Sequence, residues 1–194
     1  MKSLYDFIVK PVGERYNNKK DLNGKELILN TNIETFQSVN KKAVVISTPK
    51  GYTGNIKEND IVYVHHNVFR RFYDVKGREK NSRSYFKNNL YFCDPFQIYM
   101  YNNKSHLNYC FVAPVNNKDD LSTSLEHNQL GILKYGNKLL DAAKIKPGAL
   151  VTFSPDSEFE FIIKGEKLYC MKFNNIALVH ENKRNEKEHN PSWA

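Results

Sequence analysis

The 194-residue chain carries 29 Lys and Arg against 21 Asp and Glu, a net charge of +8, and 40% of its residues are apolar. That apolar share supports packed cores in one sizeable domain or two small ones and excludes a wholly disordered chain. Its longest aliphatic runs, Ala43 to Ile46 and Ile61 to Val64, fall far short of the roughly 20 residues that span a bilayer as a helix.

In chain order, "MKSLYDFIVK" places Asp6 and Lys10 where a secretory signal needs an unbroken apolar core, so a cytoplasmic protein without a membrane partner is expected. A first strand is expected in "FIVKPV", Phe7 to Val12. The stretch from Asn17 to Asn40 is mostly polar and carries one aliphatic cluster, Leu27-Ile28-Leu29, which follows Asn23-Gly24. Further strand signals, short runs of Val, Ile, Tyr and Phe bounded by Gly, Asn, Asp and Pro, occur at Ala43 to Ile46, Ile56 to Val64 and Asn89 to Met100. Between the last two lies "VFRRFYDVKGREKNSRSYFK", in which seven basic residues interleave with Phe69, Phe72, Tyr73, Tyr85 and Phe86. No amphipathic helical pattern exceeds two or three turns, and the fold class is read as all-β.

After "NNKSHL" (Asn102 to Leu107), read as a linker, the same signals return in the same order. "FIVKPV" returns as "CFVAPV" (Cys110 to Val115), and "AVVI" (Ala43 to Ile46) as "GILK" (Gly131 to Lys134). "IKENDIVYV" (Ile56 to Val64) returns as "IKPGALVTF" (Ile145 to Phe153), and "NLYFCDPFQIYM" (Asn89 to Met100) as "KLYCMKFNNIAL" (Lys167 to Leu178). The offsets between matched positions are 103, 88, 89 and 78, so repeat 1 carries two insertions, one around the Leu27 cluster and one around the basic stretch. Charge divides the same way: residues 1–104 hold 18 basic and 10 acidic side chains, residues 105–194 hold 11 of each. The expected domains are 1–101, with a mobile loop at about 17–40 and a basic hairpin insertion at about 67–88; 108–180; and a charged flexible tail, 181–194.

The basic stretch has two readings. Arg70, Arg71, Arg78 and Arg83 can neutralise phosphates while the aromatics stack on bases, as in β-barrels that bind single strands. Alternatively it is a long hairpin turning near Asp74 to Gly77, with its aromatics inward and its charges in water, and this reading is preferred. Cys93, Cys110 and Cys170 form no C-x-x-C pair and are expected as buried thiols. His65 and His66 are adjacent and face opposite sides of a strand, which does not favour a shared metal. No phosphate-binding glycine loop, zinc-helix or nucleophile-elbow pattern occurs, so neither an enzyme nor a cofactor nor a metal is expected.

Each repeat resembles the co-chaperonin GroES family. Lys57-Glu58-Asn59-Asp60-Ile61-Val62 is similar to the family's K-x-G-D-x-V element, with Asn59 in the usual glycine position; Lys146-Pro147-Gly148-Ala149-Leu150-Val151-Thr152-Phe153 keeps the glycine and loses the Asp. Gly165-Glu166-Lys167-Leu168-Tyr169, running to Asn175-Ile176-Ala177-Leu178, is similar to the closing element. The resemblance implies two tandem GroES-like small β-barrels. It also implies that Leu27, Ile28 and Leu29 form the tripeptide that docks on a GroEL-type chaperonin, whereas the corresponding "NNKDDLSTSLEHNQ" of repeat 2 lacks a docking loop. The implied function is that of an oligomeric lid enclosing an unfolded client protein in the cytoplasm. The departures from the family pattern suit a bacteriophage-encoded member acting in a host cytoplasm. Read without that resemblance, Leu27-Ile28-Leu29 forms a short strand covering the core, and the chain is a nucleic-acid-binding barrel or a viral structural or assembly protein.

Overall fold

The computed structural model describes residues 2–17, 19–22, 25–28, 35–117, 125–181 and 186–193. The chain divides into two compact units, Met1–Asn102 and Asn103–Ala194. The first contains β1 (Phe7–Pro11), β2 (Lys19–Leu22), β3 (Lys25–Ile28), β4 (Lys42–Ser47), β5 (Ile61–Val64), β6 (Arg71–Tyr73), β7 (Glu79–Asn81), β8 (Tyr85–Lys87), β9 (Leu90–Cys93) and β10 (Ile98–Tyr101). The second contains β11 (Lys104–Ser105), β12 (Tyr109–Asn116), β13 (Glu126–Tyr135), the helix α1 (Lys138–Ala142), β14 (Leu150–Phe153), β15 (Phe159–Ile163), β16 (Glu166–Lys172) and β17 (Ile176–His180). The fold is all-β. Among the described residues no helix is long and apolar enough to cross a membrane.

The main sheet of the first unit runs β10-β5-β4-β1-β9-β8, and that of the second runs β17-β14-β13-β12-β16-β15. Under the repeat offsets these are the same order. The registers coincide as well. Pro11 faces Ala43 in one unit and Pro114 faces Gly131 in the other, and both pairs of strands slip at the same step, between Ile8 and Val9 and between Phe111 and Val112. Val9 faces Tyr91 as Val112 faces Tyr169, and Ala43 faces Val62 as Gly131 faces Val151. Met100 faces Tyr63 as Leu178 faces Thr152, each after an irregularity at the preceding step. Both prolines lie beyond the residues of their strand that pair with β9 or β16, so the missing N–H breaks neither of those ladders.

Matching registers put matching residues inside. β4 alternates, burying Ala43, Val45 and Ser47 while Lys42 and Ile46 face out. The first core joins Val9, Val45, Val62, Val64, Tyr91 and Cys93. The second places Val112, Leu133, Val151, Phe153, Tyr169 and Met171 at the equivalent positions. The turn before β5 shows why Asn59 stands where the second repeat has Gly148: their φ angles are +72° and +94°, a left-handed conformation open to Gly and, next best, to Asn. The Asn59 N–H donates to the Val45 carbonyl at 2.7 Å, and the Gly148 N–H to the Leu133 carbonyl at 2.7 Å.

Three features depart from the sequence-based expectation. Each main sheet is open: among the described residues no pairing joins β10 to β8 or β17 to β15, so closure into barrels is not formed by strand pairing. The polar segment between β1 and β4 contains the β2–β3 hairpin, a two-stranded sheet of its own. Residues 186–193, expected as part of a flexible tail, lie against the end of β12, with Glu188 bridged to Val115 and the His189 N–H donating to the Pro114 carbonyl at 2.8 Å. The cause is the length of β12, whose last residues outrun the β16 ladder and leave backbone polar groups to be paired by another segment.

Candidate functional site

The aliphatic cluster is set by hairpin chemistry. Lys19–Leu22 and Lys25–Ile28 flank Asn23-Gly24, the dipeptide that most favours a two-residue hairpin turn. Leu27 faces Lys20 and Ile28 faces Lys19 across the pair. The Leu27 side chain is 48% exposed. Leu29, the third residue of the expected docking tripeptide, lies outside the described residues. The structure thus places two of the three on one strand of a hairpin that is separate from the main sheet.

The basic insertion is also a hairpin, β6 against β7, with Arg71 facing Asn81 and Tyr73 facing Glu79. Asp74 builds its turn: Oδ1 accepts the N–H groups of Lys76 and Arg78, each at 2.9 Å. The base is pinned from below by two residues that follow β1. Arg15 donates through Nη2 to the Phe69 carbonyl at 2.7 Å and through Nη1 to Asn81 Oδ1 at 2.7 Å, while the Tyr16 hydroxyl accepts the Arg71 N–H at 2.6 Å. Only part of the aromatic set points inward: Phe69 is fully buried, whereas Phe72, Tyr73 and Tyr85 are exposed. A two-stranded hairpin paired only with itself has too little area to cover them all.

The four arginines of the expected nucleic-acid surface have different surroundings. Arg71 is committed to Glu79, Nη1 to Oε1 at 2.8 Å, and its guanidinium lies 4.7 Å from the centre of the Tyr16 ring. Arg78 sits on the exposed turn. Arg70 and Arg83 instead line one cleft of about 360 Å³ together with Asn67, Phe72, Ser84 and Gln97. Arg70 Nε is buried there without a hydrogen bond. Beside it, His65 and His66 stand ring to ring at 4.1 Å. Burial, helped by His65, Lys41 and Arg70, pushes the His66 pKa down to about 4, so the ring is neutral near pH 7.

Sequence reasoning missed a polar cluster in the second unit. Lys167, 8% exposed, places Nζ 2.7 Å from Glu126 Oε1 and 3.3 Å from Glu160 Oε2. The Tyr169 hydroxyl donates to Glu126 Oε2, and His189 Nε2 lies 3.8 Å from Glu126 Oε1. Burial and the Glu126 carboxylate push the Tyr169 pKa up to about 12. Burial alone would lower the Lys167 pKa, but Glu126 and Tyr169 outweigh it and hold the value raised. Trp193 closes the cluster, its ring 5.7 Å from Lys167 Nζ. The only sequence signal was a Lys and a Tyr two residues apart on one face of a strand. The chemistry available here is a partly buried ion pair that holds the C-terminal segment.

The three cysteines are free and buried. Burial pushes the Cys110 thiol up to about 12 and raises Cys93 and Cys170 as well, so none presents a thiolate near neutral pH. No protein-family model matches the chain, and no curated protein matches it.

Proposed function

We propose that the chain is a duplicated co-chaperonin of the GroES type, in which each unit corresponds to one small barrel. The first unit docks on a GroEL-type chaperonin ring through Leu27, Ile28 and Leu29, and several copies of the chain together form a lid over an unfolded client. The observation that carries this reading is the exposed Leu27 on a hairpin inserted between β1 and β4. The β2–β3 pair is a two-stranded sheet apart from the main sheet, which suits a segment available to a partner.

The energetics suit a multivalent lid. Burying three large aliphatics is worth roughly 5 to 8 kcal/mol, and fixing about ten backbone residues costs on the order of 10 kcal/mol. One loop therefore binds weakly, and several loops on one assembly bind by effective concentration. Nucleotide hydrolysis belongs to the chaperonin. Co-sedimentation with a GroEL-type ring in the presence of nucleotide tests the proposal. The parent chain is expected to pellet with the ring and Ile28→Asp to remain in the supernatant, with native mass spectrometry showing an oligomer for both. A parent that never binds, an Ile28→Asp chain that binds equally, or a monomer at micromolar concentration overturns it.

A further inference from the structure

The cleft under the basic hairpin belongs to the first unit by construction. Residues 65–84 connect β5 to β8, whereas 154–158 make the equivalent connection in the second unit, and the longer segment supplies Asn67, Arg70, Phe72, Ser82, Arg83 and Ser84 to its walls. We propose that this cleft binds an organic phosphate carrying a planar ring, a ligand of mononucleotide size.

Four observations carry the assignment. Both Arg70 and Arg83 line the cleft, and among the described residues no acidic side chain does, although the nearby Arg71 has an acidic partner in Glu79. Arg70 Nε, like the neighbouring Arg71 Nε, is buried without an acceptor, and a ligand oxygen would supply one at Arg70. The walls are fixed by bonds that leave the guanidinium groups uncommitted: Ser82 Oγ donates to the Val68 carbonyl at 2.7 Å, and Gln97 Oε1 accepts the Asp94 N–H at 3.1 Å. Phe72 lines the same cleft with a ring that is 39% exposed, a face on which a planar group can stack.

Two guanidinium forks match the oxygens of a phosphate monoester, which accepts bidentate bonds from each. The volume of about 360 Å³ lies within the range of roughly 300 to 1,000 Å³ typical of small-ligand sites. A continuous single-stranded nucleic acid is the poorer fit, because Arg71 is drawn away by Glu79 and Tyr16 and Arg78 sits on the turn outside the cleft. The proposal is independent of the co-chaperonin reading and is tested without a chaperonin.

Isothermal titration of the full chain at near-physiological salt with adenosine monophosphate, inorganic phosphate and adenosine is the test. Adenosine monophosphate is expected to bind one to one. Inorganic phosphate is expected to bind about tenfold more weakly for want of the ring, and adenosine about a hundredfold more weakly for want of both charge-assisted contacts. Arg83→Gln, at an exposed position that does not threaten folding, is expected to weaken adenosine monophosphate about tenfold, and Arg70→Gln at least as much, with circular dichroism checking that each is folded. Arg78→Gln is expected to stay within about twofold, as a surface charge outside the site. The proposal fails if adenosine monophosphate shows no saturation at millimolar concentration, or if Arg78→Gln weakens it as much as Arg83→Gln. It also fails if only oligonucleotides bind, which would assign the insertion to nucleic acid.

Discussion

Gly131 and Ala43 occupy the same register position in the two units, each opposite a proline. A Cβ added to Gly131 would collide with Val112 Cγ1 and lie 2.7 Å from the Ala113 carbonyl oxygen, a backbone atom. Gly131→Ala is therefore expected to destabilise the second unit by about 1 to 3 kcal/mol through overpacking. The measurement is a lower urea midpoint at unchanged slope; an unchanged midpoint would mean that β12 and β13 accommodate the added methyl group without cost. Such positions were partly legible in the sequence. Asn59 and Gly148 announced a shared turn because so few residues tolerate positive φ. The arginines did not announce their roles, since Arg71 meets Glu79 only across a hairpin and Arg70 meets Arg83 only around a cleft.

Among the elements, the strands of the four matched segments were readable because they are runs of Val, Ile, Tyr and Phe bounded by turn residues, whereas β15 (Phe159–Ile163) was not marked out. The β2–β3 hairpin was obscured by its polar, Lys-rich strands. The C-terminal segment was obscured for a different reason: its charges look like those of a solvated tail, and its binding to β12 runs through backbone groups that composition does not reveal. Its importance follows from what it satisfies. Glu188 bridges Val115, the Asn116 N–H donates to the Lys187 carbonyl at 3.0 Å, and Asn190 Oδ1 accepts the Lys167 N–H at 3.0 Å. The accompanying Lys134–Glu188 ion pair, at 2.8 Å, is partly exposed and adds little. Deleting residues 186–194 is expected to destabilise the second unit by about 2 to 4 kcal/mol, chiefly through backbone groups left unpaired beside the Val115 core. Urea denaturation followed by circular dichroism measures this, and a loss below about 0.5 kcal/mol, the usual size of a surface substitution, would reduce the segment to a surface attachment.

For the molecule as a whole, the duplication was the most legible property of the sequence, because four ordered matches and their offsets reappear as the strand registers. Sheet closure was not legible, since pairing between a first and a last strand leaves no local signal. Each unit has a core of its own, so heating is expected to melt two cooperative blocks, and the calorimetric enthalpy should exceed the van't Hoff enthalpy. Equal enthalpies in a single transition would show that the cores melt as one. The shared register has a further consequence for how the chain reaches this state. β12 carries the same bulge step as β1 and a proline at the matching register position, so homologous strands are interchangeable mates, and a chain refolding at full length can exchange them between units. Synthesis from the N-terminus removes the ambiguity, because residues through Tyr101 supply every strand of the first unit before β12 exists. The vulnerable moment is refolding after stress, when that ordering in time is lost.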